Sequence, residues 1–171
     1  MIYASTFPSP VGALTALVDE DGALVELRFE RQPAVDGVVR DDERGAHVRR
    51  QLDEYFRGER RGFELEMKPR GTPWQQAVWA ALRGIPYGDT INYRTLAGLA
   101  GNPAAIRAAG RANATNPIPI LIPCHRVIGT DGTLTGYGGG LAAKETLLVL
   151  EGAAFTGRAA RDAGAGTPAR R

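Results

Sequence analysis

Cysteine is almost absent from this chain: 171 residues hold one, at position 124, alongside only two histidines. A single thiol excludes an internal disulfide framework and fits a reducing setting, so a cytoplasmic location is expected. Long apolar runs are missing too. None approaches the roughly 20 residues that cross a bilayer, and residues 1–5 are not a basic region leading into an apolar one, so no secretory leader is expected. Acid is missing from one stretch. Between Asp89 and Asp131 there is none, while Arg94, Arg107, Arg111 and Arg126 all fall there. The formal net charge of +2 therefore hides a split, with nine basic and fourteen acidic side chains up to residue 66 but twelve and five after it. A basic second half suits a polyanion such as nucleic acid. The length allows one good core or two small domains.

Three short strands are expected in the first thirty residues: 2–7, 13–18 and 24–29, joined by tight turns that include Asp19-Glu20-Asp21-Gly22. They predict an antiparallel meander. Residues 31–45 are polar and read as a loop. Val48, Leu52 and Phe56 recur every four residues and predict a helix over 46–56. No catalytic constellation is visible here, so 1–66 reads as an α/β scaffold domain, with 67–152 as a second domain and 153–171 as a mobile tail.

The second domain opens on Thr72-Pro73-Trp74-Gln75, with a helix N-cap, proline at the first helical position and glutamine at the capping-box position. Trp74 and Trp79 read as core. Asn92 caps a short helix over 93–100, Gly101 interrupts it, and Asn102-Pro103 predicts a restart over 103–113. Two short helices across such a turn are the helix-turn-helix pattern. The second is rich in small residues, Ala105 and Ala108 among them, and carries Arg107 and Arg111 one turn apart. Its surface could approach a partner closely.

Prolines 117, 119 and 123 lead through a wall of branched apolar residues to Cys124-His125-Arg126. A thiol has a pKa of roughly 8.5, so a working cysteine needs a base or cation nearby; His125 and Arg126 are one of each. Next comes Tyr137-Gly138-Gly139-Gly140, without the Gly-Lys-Ser/Thr ending of a phosphate loop. A final helix is expected over 141–150, with Leu147, Leu148 and Leu150 for the core and Glu145 within it.

Pro123-Cys124-His125-Arg126-Val127, Gly101-Asn102-Pro103, Asn116-Pro117 and Tyr137-Gly138-Gly139-Gly140-Leu141 together make the chain resemble the O6-alkylguanine-DNA alkyltransferases. The resemblance covers residues 71–152. It implies an α+β protein: an RNase H-like N-terminal sheet with a helix, then a mainly helical, winged-helix-like domain. It also implies repair of duplex DNA by single-turnover transfer of an alkyl group from O6 of guanine, or from O4 of thymine, to Cys124. On that resemblance His125 acts as a water-mediated base, Glu145 holds His125, Asn116 braces the turn and Tyr93 donates to guanine N3. Arg107 enters the base stack when the nucleotide flips out, with Ala105, Ala108, Arg94 and Arg111 on the DNA-facing surface in the minor groove. Val127, Tyr137, Gly138 and Pro119 line the base pocket. Gly138 and Asn113 stand where other members carry serine and an apolar residue. No metal or cofactor is expected, and the protein is expected to act as a monomer. A non-catalytic lesion binder would lack Cys124. A cysteine hydrolase would hold its base distant in sequence.

Overall fold

The computed structural model describes residues 1–156, and its contacts divide them into two units: 1–70 with 117–121, and 71–116 with 122 onward. In the first unit β1 (Tyr3–Phe7), β2 (Leu14–Val18) and β3 (Leu24–Phe29) form the expected antiparallel meander, with Phe7 opposite Leu14 and Leu14 opposite Phe29. Asp19 shapes the β2–β3 turn by accepting from the backbone of Asp21 and Ala23, and Gly22 takes a φ of 86° there. The stretch read as a loop holds one more strand. β4 (Val39–Arg40) pairs parallel to β1, giving the order β3-β2-β1-β4. Two exposed residues carry no alternation, so nothing in their pattern announced a strand.

Helix α1 (Ala46–Phe56) has the predicted bounds and buries Val48, Leu52 and Tyr55. Gly45 lets it start against β1, since a Cβ there would lie 2.4 Å from that of Ser5. Gln51 of the same helix is buried without penalty, because its amide donates to Glu64 O and accepts from Glu64 N. Leu27 N donates to Pro117 O at 2.8 Å, which attaches 117–121 to this unit.

In the second unit, α2 (Pro73–Arg83) begins with the full capping box of Thr72 and Gln75. Trp79 is core as expected, Trp74 is only half-buried, and both also bond the backbone. Trp74 Nε1 donates to Ala108 O at 3.1 Å and Trp79 Nε1 to Ala112 O at 2.8 Å, so two indoles fasten α4 (Ile106–Ala114) by its backbone. Helix α3 (Tyr93–Leu99) is capped by Asn92, whose side chain accepts from Thr95 N. The second helix of the pair starts later than the sequence predicts. Asn102 closes a tight turn by accepting from Ala104 N, and the chain becomes helical only at Ile106, leaving Ala105 just outside.

Two elements invisible in the sequence matter most for the site. Strands β5 (Ile91–Asn92) and β6 (Val127–Ile128) pair in parallel, Ile91 with Val127 and Asn92 with Ile128. This short ladder joins the start of α3 to the residues just after Cys124. Helix α5 (Leu141–Leu150) has the predicted bounds, but its buried face is Ala143, Lys144, Leu147 and Leu148, while Leu150 is only half-buried. The expected tail is partly core. Ala153 and Phe155 pack with Ile128 and Leu148, and Thr156 N donates to Gly132 O. The rest of that expected tail, 157–171, lies outside the described residues.

Candidate active site

The thiol is presented by two consecutive tight turns. Leu121 N donates to Pro119 O around Ile120, which sits at φ 74°, a left-handed γ-turn that a β-branched residue adopts only under strain. Cys124 N then donates to Ile122 O at 2.8 Å around Pro123, whose φ of −80° and ψ of 65° make an inverse γ-turn. Proline fixes φ near that value, so residue 123 sets the entry to the cysteine. A single turn of 3₁₀ helix, Cys124–Arg126, follows and runs directly into β6. Asn116 Nδ2 donates to Ile122 O at 2.7 Å, and the Asn116 side chain also acts on the thiol.

Behind the thiol lies a buried ionic cluster. His125, wholly buried, places Nε2 2.8 Å from Glu151 Oε2. Arg126 grips the same carboxylate with two bonds, Nε to Oε1 at 2.8 Å and Nη2 to Oε2 at 3.0 Å, and donates from Nη1 to Ile85 O at 2.6 Å. Lys144 is also wholly buried, donating from Nζ to Val127 O at 2.7 Å and Thr135 O at 3.3 Å. Among the described residues no carboxylate lies within ion-pair reach of it. The Tyr93 hydroxyl meets Thr135 Oγ1 at 2.5 Å.

Residues 73–153 match the DNA-binding domain of 6-O-methylguanine DNA methyltransferase, and residues 2–69 match its ribonuclease-like domain. The methylated-DNA–protein-cysteine methyltransferase of Methanosarcina acetivorans is 45% identical over 155 residues, covering 88% of this chain and 99% of that protein. The protein of the same name from Mycolicibacterium paratuberculosis is 47% identical over 154 residues, covering 88% and 93%. This chain belongs to the 6-O-methylguanine DNA methyltransferase family. Among solved structures, Mycobacterium tuberculosis OGT in complex with DNA superposes with a TM-score of 0.83 at 45% identity, covering 87% of this chain and 92% of that one. The α+β architecture is shared. So is the activity, repair of DNA by transfer of an alkyl group to a protein cysteine.

For a methyltransferase of this kind the electrostatics around the acceptor are decisive. Burial pushes the Cys124 thiol up from its ordinary value, and the Asn116 side chain, the Lys144 charge and, least, the Tyr137 side chain oppose that rise. Burial pulls His125 down, against Glu151, so the ring is neutral at pH 7. Burial also acts to raise Glu151, but His125 and Arg126 outweigh it and hold the carboxyl at about 2. Burial lowers Lys144 to about 8 and raises Tyr93, which stays a phenol at neutral pH.

One expected role moves to another residue. The carboxylate on His125 is Glu151, not Glu145. Helical geometry gives the reason: Lys144, Leu147, Leu148 and Glu151 fall three, four and seven residues along one stripe, the stripe that is buried. Glu145 is one residue off that stripe and half-buried. A carboxylate continuing an apolar stripe was the available signal. Lys144 and Thr135 were also missed; Lys144 sits on the same stripe, whereas nothing in the pattern marked Thr135.

The other candidates divide between interior and surface. Cys124, His125 and Val127 are buried, Asn116, Tyr93 and Tyr137 half-buried, and Gly138 exposed with open space at its Cα. Gly110 of α4 faces the Tyr93 ring, at 3.7 Å from where its Cβ would be. Arg94, Arg107 and Arg111 are exposed, while Ala105 and Ala108 are half-buried. Pro119 is buried within the 117–121 segment. Asn113 is buried with its Oδ1 unpartnered among the described residues.

Proposed function

We propose that Cys124 is the acceptor in a single-turnover repair reaction on O6-alkylguanine in duplex DNA, with His125, Glu151, Asn116, Tyr137, Lys144 and Tyr93 as the groups that make it work. The observation that carries this reading is the orientation of His125. An ionised carboxylate only accepts hydrogen bonds, so the Nε2 facing Glu151 bears the hydrogen and Nδ1 keeps its lone pair. Nδ1 is buried without a partner among the described residues, and is thus the atom available to take the thiol's proton, through a water. The Asn116 side chain, the Lys144 charge and, least, the Tyr137 side chain favour the thiolate that results.

The thiolate sulfur attacks the methyl carbon, a C–S bond forms and the C–O6 bond breaks. The released electron pair passes into the guanine ring. Tyr93, a phenol at neutral pH, protonates or hydrogen-bonds N3 as that charge develops. The thioether does not revert, so each molecule acts once. The alkyl carbon lies at a base edge inside the duplex, so the nucleotide must rotate out. Arg107, exposed near the start of α4, would take its place in the stack, with α4 lying in the minor groove and Arg94 and Arg111 against phosphates. Action as a monomer in a reducing cytoplasm suits a protein whose one thiol is its reagent.

Mass spectrometry after incubation with methylated duplex is expected to show one added methyl on Cys124. Cys124→Ser is expected to abolish transfer and keep binding to the duplex. Methyl transfer by Cys124→Ser at the parental rate would overturn the assignment. Turnover with an unmodified thiol would favour a hydrolase.

A further inference from the structure

We propose that Thr135 is a positioning residue for the transfer reaction: its hydroxyl donates to the Tyr93 oxygen and so aims the phenol's own proton at the flipped base. This rests on the role given above to Tyr93. The two hydroxyls meet at 2.5 Å, and each is held by its own support. Tyr93 is the first residue of α3, fixed by the Asn92 cap and by the β5–β6 ladder beneath it. Thr135 is fixed through its carbonyl, which accepts from Lys144 Nζ, and through its neighbour Leu134, packed on the Ile128, Leu148, Ala153 and Phe155 cluster. The contact is therefore not a chance meeting of mobile side chains.

A phenol has one hydrogen to give. If Tyr93 donated to Thr135, that hydrogen would be spent when the base arrived. Guanine N3 offers only a lone pair, so an occupied pocket favours the opposite polarity, with Thr135 as donor and the Tyr93 hydrogen free. Donation into the phenol oxygen also polarises its O–H bond, because linked hydrogen bonds strengthen one another in a low-dielectric site. Thr135 then does two things without touching the base: it sets the direction of the proton and makes Tyr93 the better acid. The bond's lowering effect on the Tyr93 pKa, against the rise from burial, agrees with this polarity.

Thr135→Val keeps the shape and removes the hydroxyl; Thr135→Ser keeps the hydroxyl. Single-turnover transfer from methylated duplex is measured for both, for Tyr93→Phe and for Tyr93→Phe/Thr135→Val. Thr135→Val is expected to slow the step at saturating DNA by roughly three- to tenfold, the size of one hydrogen bond, with the half-saturating concentration and the melting temperature unchanged. Thr135→Ser is expected to restore the parental rate. In the Tyr93→Phe background Thr135→Val is expected to add nothing, since the atom it acts through is gone. A parental rate for Thr135→Val beside a slowed Tyr93→Phe overturns the inference and leaves the role of Tyr93 standing. The same loss in both backgrounds shows a purely structural residue and also overturns it. A parental rate for Tyr93→Phe removes the role of Tyr93 itself, and the inference with it.

Discussion

At the residue scale, the most informative side chain is Glu151. It takes one bond from His125 and two from Arg126, all three groups being buried. Removing one partner of such a cluster leaves buried charge uncompensated, at a cost of roughly 3–5 kcal/mol. Glu151→Gln is therefore expected to lower stability by about that amount and to slow transfer. The slowing should lessen at alkaline pH, where the thiol ionises without help from His125. Glu145→Gln is expected to leave the rate within about a factor of two, as for an ordinary substitution outside the cluster. Chemical denaturation and a pH series of single-turnover rates separate the two variants. The assignment fails if Glu145→Gln is the slower of them.

At the element scale, α4 illustrates how a surface helix is held for use. Its backbone carbonyls at Ala108 and Ala112 are pinned by Trp74 and Trp79 of α2, so its outer face is free to carry Arg107 and Arg111. Arg107→Ala is expected to slow repair of duplex DNA several-fold more than transfer from a free O6-alkylguanine base. The guanidinium helps only where a base must be unstacked, which costs a few kcal/mol. Parallel assays on the two substrates decide this, and equal losses would place Arg107 in the pocket or the fold instead. The starts of α2 and α3 were legible from their caps, Thr72 and Asn92, and the bounds of α1 and α5 from their apolar residues and flanking glycines. The start of α4 was not. Asn102-Pro103 suits both a helix start and a turn, and Asn102 is used in the turn.

At the scale of the whole molecule, the buried cluster links stability to pH. Burial holds His125 below its ordinary value of 6.5, so the unfolded chain takes up that proton first as pH falls. Glu151, held at about 2 against an ordinary 4.5, acts in the same direction further down. Both groups make the unfolded state bind more protons on acidification. The contribution of these two groups is thus expected to be full above pH 6.5, to decline below it through His125, and to decline again between 4.5 and about 2 through Glu151. Melting temperature measured from pH 7.5 to pH 3 tests this, and a flat profile would show that the cluster is not neutralised as described.

What the sequence determined alone was whatever depends on neighbours along the chain. The lone cysteine, the proline-framed turn before it, the capped helices and the three-strand meander are all local, and they were enough to place the family. What only the tertiary structure decided was which distant groups meet. A two-residue ladder at β5 and β6 brings Tyr93 beside the cysteine segment, and a helix face selects Glu151 over Glu145. The same folding turns part of an apparent tail into core through Ala153 and Phe155. Pairings of two residues leave no periodic trace in a sequence, and the helix stripe that marks Glu151 as buried does not say which distant group it meets. Their energies arise only when burial removes water from both sides at once.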